Sequence, residues 1–354
     1  MASGSGRRRA RSGRSAYRFA HEPGTTVTED WQPTASRDSI KRRATALATA
    51  RNFFSARDIT EVETPVLCEF GVTDPHIDNI AVKTTVSDKP VFLRSSPEYH
   101  MKRLLAAGSP DIYQIGKVFR DGERGERHQP EFTMIEWYRH NFNLQDIASE
   151  TCALIYEISE PGSNPVSKNI RISYTAAFMQ ACSVNPLEAE VDELRSTAQN
   201  FLGDIFDDEL TKSLGNDRQA WLDLLATHLV YPGLPGEVLV VMDSYPAEQA
   251  MLARINPDDP ATALRFEVFL NGVEIANGFH ELGNAVEQAE RFESDRKQRH
   301  LCGRPDMEPD TLLLDALEAG LPDCSGVAVG LDRLLMVTNQ LDSLAAVLSF
   351  IPGR

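Results

Sequence analysis

The chain predicts an α+β fold, an antiparallel sheet flanked by helices, and three observations carry that expectation. Ile112–Arg120 and Glu131–Tyr138 are strand-like segments joined by the polar loop Asp121-Gly-Glu-Arg-Gly-Glu-Arg-His-Gln-Pro130, which reads as a long hairpin. Arg265–Leu270 and Val273–Asn277 flank Asn271-Gly272, the strongest short hairpin signal a sequence offers. No βαβ alternation of strand and helix patterns appears anywhere along the chain.

Taken in order, Ile40, Ala44, Leu47, Ala50 and Phe54 recur at helical spacing behind a Ser36 cap and predict an amphipathic first helix. Glu61-Val-Glu-Thr-Pro-Val-Leu67 is rich in β-branched residues and predicts a strand, with Pro65 suited to an edge or an interface. Val91–Leu93 reads as a short strand, and Ser96-Pro97 as the cap and first turn of a helix running to about Ala107. Residues 141–260 read mainly as helix. After the Asn271-Gly272 hairpin come a helix over Ala285–His300, a Gly-rich strand over Gly326–Gly330 and a last helix from Leu331.

At 354 residues and 42% hydrophobic, the chain has enough apolar side chain for a substantial core. Residues 1–30 begin with a run rich in Gly, Ser and Arg with almost nothing to bury and are expected to be a disordered basic tail, either solvated or an RNA-binding arm; residues 31–354 are expected to form the folded domain. No run approaches the roughly 20 apolar residues of a membrane span, and no signal peptide opens the chain, so a cytoplasmic protein without membrane partners is expected. Five widely spaced cysteines without a CxxC pair read as buried thiols. A net charge of -16 disfavours broad clinging to nucleic acid.

Three stretches carry chemistry. A two-residue turn at Asn271-Gly272 pairs Phe269 with Glu274 and sets Glu267 diagonally across from it, so two carboxylates share one face. Such a pair suits a Mg²⁺ that also holds triphosphate oxygens, and it equally suits two solvent-facing glutamates. Period two puts Phe132, Met134, Glu136 and Tyr138 on one face. That mixed face fits a pocket in which Glu136 and Tyr138 hold an ammonium group, or a strand on which Glu136 pairs with a surface arginine. In Gly326-Val-Ala-Val-Gly-Leu-Asp-Arg333, small residues allow a close backbone approach to a ligand or simply tight packing, and Arg333 is placed to stack on a base or meet phosphate.

Together and in this order the stretches resemble the signature motifs of class II aminoacyl-tRNA synthetases, specifically the lysyl subgroup, over about residues 31–354. Phe53–Leu67 resembles motif 1, which implies a homodimer interface; Val118 to Tyr138 resembles motif 2; Gly326–Arg333 resembles motif 3. The resemblance implies ATP as a substrate, with Arg120 on its α-phosphate as a catalytic residue together with Arg333. Asp121, Gly122, Glu123, His128, Gln129, Ile275 and Gly330 would border the nucleotide, Phe132 and Arg333 would sandwich adenine, and Glu267 and Glu274 would carry Mg²⁺. Ser96, Pro97, Glu98, Glu136, Tyr138, Asn277, Glu281 and Ala328 would surround the amino acid.

Two departures narrow the family. Arg120-Asp-Gly-Glu123 replaces the Arg-Asn-Glu common among lysyl enzymes and moves the glutamate one place along. The anticodon-binding barrel of roughly a hundred residues that precedes a lysyl enzyme's catalytic domain has no counterpart in the 30 residues before Trp31. Trp31-Gln-Pro, Ser96-Pro-Glu-Tyr-His-Met-Lys-Arg-Leu-Leu105, Asn277-Gly-Phe-His-Glu-Leu282 and Pro322-Asp-Cys-Ser-Gly-Val-Ala328 resemble instead the bacterial elongation factor P lysine ligases. That resemblance implies β-lysine or lysine as the small substrate and elongation factor P, not tRNA, as the acceptor.

Overall fold

The computed structural model describes residues 31–85, 89–162 and 164–351. The basic segment 1–30, expected to be disordered, lies outside the described residues. In chain order the elements are α1 (Arg37–Ser55), β1 (Thr60–Glu61), β2 (Leu67–Cys68), β3 (Ile80–Val82), β4 (Val91–Leu93), α2 (Glu98–Ala106), β5 (Ile112–Phe119), β6 (Glu131–His140), α3 (Leu144–Ser159), β7 (Asn169–Ser173), α4 (Tyr174–Cys182), α5 (Val191–Phe201), α6 (Asp208–Leu214), α7 (Arg218–Leu225), β8 (Leu239–Pro246), β9 (Thr262–Leu270), β10 (Val273–His280), α8 (Ala285–Leu301), α9 (Thr311–Gly320), β11 (Cys324–Gly330) and α10 (Leu331–Thr338).

Eight strands form one sheet in the order β1-β5-β6-β11-β10-β9-β8-β7, and β2-β4-β3 form a smaller one. The fold is α+β, and both expected hairpins, β5–β6 and β9–β10, lie inside the large sheet. Its interior pairings are antiparallel, but the outermost pairs, β1 with β5 and β7 with β8, are parallel, so the sheet is mixed. Strands β7 and β8 fall within the stretch expected to be mainly helical. Leu239-Val-Val-Met242 is buried on both faces, and a short apolar run of that kind has the same periodicity as a buried helix segment.

Two further expectations are corrected. The strand expected over Glu61–Leu67 is split: β1 joins the large sheet and β2 the small one, and the chain leaves the ladder before Pro65, which has no N–H to donate. Arg94 secures the gap by donating to Thr64 O and Oγ1, each at 2.9 Å. In α1 the buried face is Ala46, Ala50, Phe53 and Phe54, whereas Ile40 and Ala44 are exposed, because only the C-terminal half of the helix lies on the core. Four of the cysteines are buried as expected, but Cys302, at the C-terminal cap of α8, is exposed.

The main core packs α1, α3 and α10 against one face of the sheet, through residues such as Phe54, Ile155, Trp137, Val268 and Leu334. On the other face, α4 and α7 cover the β8 side through Phe178, Trp221, Met242 and Phe269. Helix α2 covers the opposite side through Met101, Leu105 and Tyr138. The strands between these two covers are left open, and a cavity occupies that gap.

Candidate active site

The cavity measures about 360 Å³, and of the residues singled out from sequence all line it except Pro97, Asp121 and Gly122. Pro97 is the residue before the first turn of α2. Asp121 forms a bridge with Asp78 and accepts the Gly122 N–H with its own carboxylate at 2.9 Å, while Gly122 supplies the positive φ of that turn at 74°.

Strand pairing sets the rest. On β6 the alternation holds: Phe132, Met134, Glu136 and Tyr138 face the cavity, while Ile135 and Trp137 enter the main core. Ala328 of β11 lies directly between Glu136 of β6 and Asn277 of β10. The β9–β10 hairpin pairs Phe269 with Glu274 as the turn requires, then shifts register at a bulge between Glu274 and Ala276. Without the bulge Asn277 would fall on the opposite face from Glu274; with it, Asn277 pairs with Glu267 and both join the cavity.

One end of the cavity is acidic and dry. Glu136, 2% exposed, accepts the Tyr138 hydroxyl at 2.7 Å and the Ser96 hydroxyl at 2.9 Å, and Ser96 also accepts the Glu98 N–H at 2.9 Å. Lys102, 1% exposed, places its ammonium 2.7 Å from Glu98 and 2.6 Å from Glu281. Burial, with Glu98 adding to it, pushes the Glu136 carboxyl up to about 8 against the two hydroxyls that stabilise its charge. Burial likewise lifts Glu281 to about 7 although Lys102 opposes the shift. Burial alone would lower the Lys102 ammonium, but Glu281 and Glu98 hold it above its ordinary value. Arg94 is a second cation on this wall, and its bonds go to neutral oxygens, Lys117 O at 3.0 Å and the two of Thr64. Three carboxylates therefore outnumber two cations where the cavity is driest.

The other end is rich in arginine and more open. The Arg120 guanidinium stands 5.2 Å from the Phe132 ring centroid and 3.5 Å from Glu123, and its buried Nε has no hydrogen-bond partner. Arg333 lies 3.4 Å from Glu274 and donates to Arg127 O at 3.2 Å. Its aim is set next door: buried Asp332 pairs with Arg43 of α1 and accepts the Thr133 N–H at 2.8 Å, fixing the start of α10 against β6. Glu267 accepts the Tyr245 hydroxyl at 2.7 Å and pairs with Arg265. The two hairpin carboxylates thus do share a face, and each already has a guanidinium partner.

The chain matches the profile of the family described as "tRNA synthetases class II (D, K and N)" over residues 28–352. Proteins named "Elongation factor P--(R)-beta-lysine ligase" align with it over nearly their whole length. The one from Haemophilus influenzae strain PittGG is 43% identical over 331 residues, covering 92% of this chain and 98% of the relative. Those from Vibrio cholerae, 43% identical over 329 residues, and Yersinia enterocolitica, 41% over 332, cover 92% of this chain and 98% and 99% of the relatives. The chain belongs to the class II tRNA synthetases, in the group of the elongation factor P (R)-β-lysine ligases.

In this class II site, three residues not singled out from sequence matter, Lys102, Arg265 and Arg94, and a fourth, Gly326, has a further role. Lys102 sits four residues after Glu98 and reads as an ordinary helix-surface ion pair, since nothing in sequence reveals that it is buried. Arg265 was legible, because it stands two places before Glu267 on the same strand face. Arg94 sits just past β4, and Gly116 leaves room for it: a Cβ there would lie 2.4 Å from the Arg94 guanidinium. Gly326 has a role other than ligand approach. A Cβ at 326 would stand 2.3 Å from the Tyr138 ring and 2.6 Å from Glu281, so this glycine makes room for the site's own side chains.

Proposed function

We propose that this protein activates (R)-β-lysine or lysine with ATP as an aminoacyl-adenylate and transfers it to a lysine side chain of elongation factor P. The observation that carries the reading is the polarity of one continuous cavity. Its dry end has more carboxylates than cations, which suits a ligand bearing two ammonium groups, and its open end presents Arg120 and Arg333 for phosphate. The kinship with proteins named for (R)-β-lysine and elongation factor P supports both the substrate and the acceptor.

In the first step a carboxylate oxygen of the amino acid attacks the α-phosphorus of ATP and pyrophosphate leaves. No side chain is needed as nucleophile. Arg120 stabilises the charge that builds on the α-phosphate, and Glu136, Tyr138 and Glu281 hold the ammonium groups so that the carboxylate points at the nucleotide end. In the second step the acceptor ε-amine attacks the mixed anhydride, loses a proton and displaces AMP, leaving an amide. Among the described residues no three His, Cys, Asp or Glu side chains form a ready-made metal cage. Glu267 and Glu274 together suit an ion that takes its remaining ligands from phosphate oxygens and water. Bound there, Mg²⁺ would neutralise triphosphate charge.

We read residues 31–354 as one catalytic domain, since the large sheet draws strands from Thr60 through Gly330. We read the molecule as a homodimer. Ile40 of α1, and Val66 and Leu67 at the end of the motif 1 segment, are 38%, 40% and 50% exposed, apolar side chains that a two-fold interface would cover. No helix among the described residues is long and apolar enough to cross a membrane, which fits the cytoplasmic location of translation. The test supplies elongation factor P and lysine tRNA separately, with ATP and labelled β-lysine or α-lysine. A mass increase on the factor is expected; label on tRNA and none on the factor overturns the proposal.

A further inference from the structure

The Lys102 ammonium does not line the cavity; it stands behind two carboxylates that do. Its contacts of 2.7 Å to Glu98 Oε1 and 2.6 Å to Glu281 Oε2 join α2 to the segment just past β10. Glu281 is held from another side as well, because Gly326, with no Cβ in the way, brings its backbone N–H to that carboxylate. The ammonium is almost wholly removed from water at 1% exposure, so it cannot be serving solubility or a surface ion pair. A buried charge of this kind is retained at a desolvation cost, and what it delivers here is geometry: it meets one oxygen of each of two carboxylates that line the cavity.

We propose that Lys102 is a positioning residue for amino-acid specificity, a built-in ammonium that holds Glu98 and Glu281 side by side and aimed so that they accept a substrate ammonium. The inference rests on the proposed activation of a diamino acid. Removing the ammonium leaves the two carboxyl groups without the shared anchor that sets their aim at a substrate ammonium. The Lys102 ion pairs go to Glu98 and Glu281, at the opposite end of the cavity from Arg120 and Arg333, so the nucleotide end should not feel the change.

The test is amino-acid-dependent ATP–pyrophosphate exchange by full-length Lys102→Met and Lys102→Ala. The KM for the diamino acid is expected to rise roughly 10- to 100-fold, while the KM for ATP stays within about two-fold. Propylammonium added to Lys102→Ala should restore the amino-acid KM with increasing dose, whereas propanol, equal in bulk and uncharged, should not. A merely structural lysine would lower the melting temperature and kcat, leave the amino-acid KM alone and respond to both additives alike; either result overturns the proposal. Where Lys102→Met yields no soluble protein, the Lys102→Ala rescue decides by itself. Exchange by the wild type with neither lysine isomer would instead reject the proposed activity, so the two failures are distinguishable.

Discussion

The two ends of the cavity solve opposite problems. At the amino-acid end, ion pairs and hydrogen bonds are closed within the protein at 2.6–2.9 Å, among side chains such as Glu136, Lys102 and Glu281 that are almost completely buried. At the nucleotide end, the Arg120–Glu123 and Arg333–Glu274 pairs stand at 3.5 and 3.4 Å with roughly a quarter or more of each side chain exposed. Fixed, desolvated charge makes for discrimination, because a ligand lacking the matching group leaves buried carboxylates unpaired. Loose, hydrated arginines make for binding a highly charged ligand that brings its own anions, since little has to be broken when phosphate displaces a carboxylate.

The sharpest way to break this contrast is Arg120→Ala. Loss of this guanidinium, whose buried Nε has no hydrogen-bond partner, should cut kcat for adenylate formation by roughly 10²- to 10³-fold, read by pyrophosphate exchange at saturating substrates. Glu136→Gln should act on the other end alone, raising the amino-acid KM by roughly 30-fold or more with the KM for ATP unchanged. If both constants moved together, the two ends would not be separable. Glu274→Gln should weaken a two-carboxylate ion site, so that exchange falls roughly 10-fold at limiting Mg²⁺ and recovers as Mg²⁺ is raised. Wild-type exchange at limiting Mg²⁺ would remove Glu274 from that role.

Ala328 sits at the junction of the two ends, between Glu136 and Asn277. On the proposed reading its methyl would crowd the α-amine of α-lysine, and a β-amino acid would avoid the contact. Ala328→Gly should therefore shift kcat/KM toward α-lysine by about 1–3 kcal/mol at most. Equal ratios for the two isomers before and after the substitution would dismiss this account. The smallest expected effect is on stability. Glu136 and Glu281 hold their protons more tightly when folded than the ordinary carboxyl value of 4.5, so the unfolded chain releases protons first as pH rises. Their contribution is then fully present below about pH 4.5 and is lost as pH climbs through about 7 to 8. Melting temperature of the ligand-free protein should fall over that range, and Glu136→Gln should flatten the fall.

The sequence by itself determined more of this site than of the fold around it. Strand alternation placed Phe132, Met134, Glu136 and Tyr138 on one face, and the Asn271-Gly272 turn placed Glu267 and Glu274 together, because both rules are local and depend only on neighbouring backbone. Strand β8 escaped it, since a run buried on both faces carries no periodicity of its own, and with β8 went its parallel edge partner β7. Tertiary structure alone decided that a bulge at Ile275 turns Asn277 into the cavity. It decided that Gly326 shelters Tyr138 and Glu281, and that Lys102, spaced like a surface lysine, lies in the dry wall. Each of these depends on which distant segment packs on top, and the desolvation that gives a charge its strength is a property of that packing, not of the residue's neighbours in the chain.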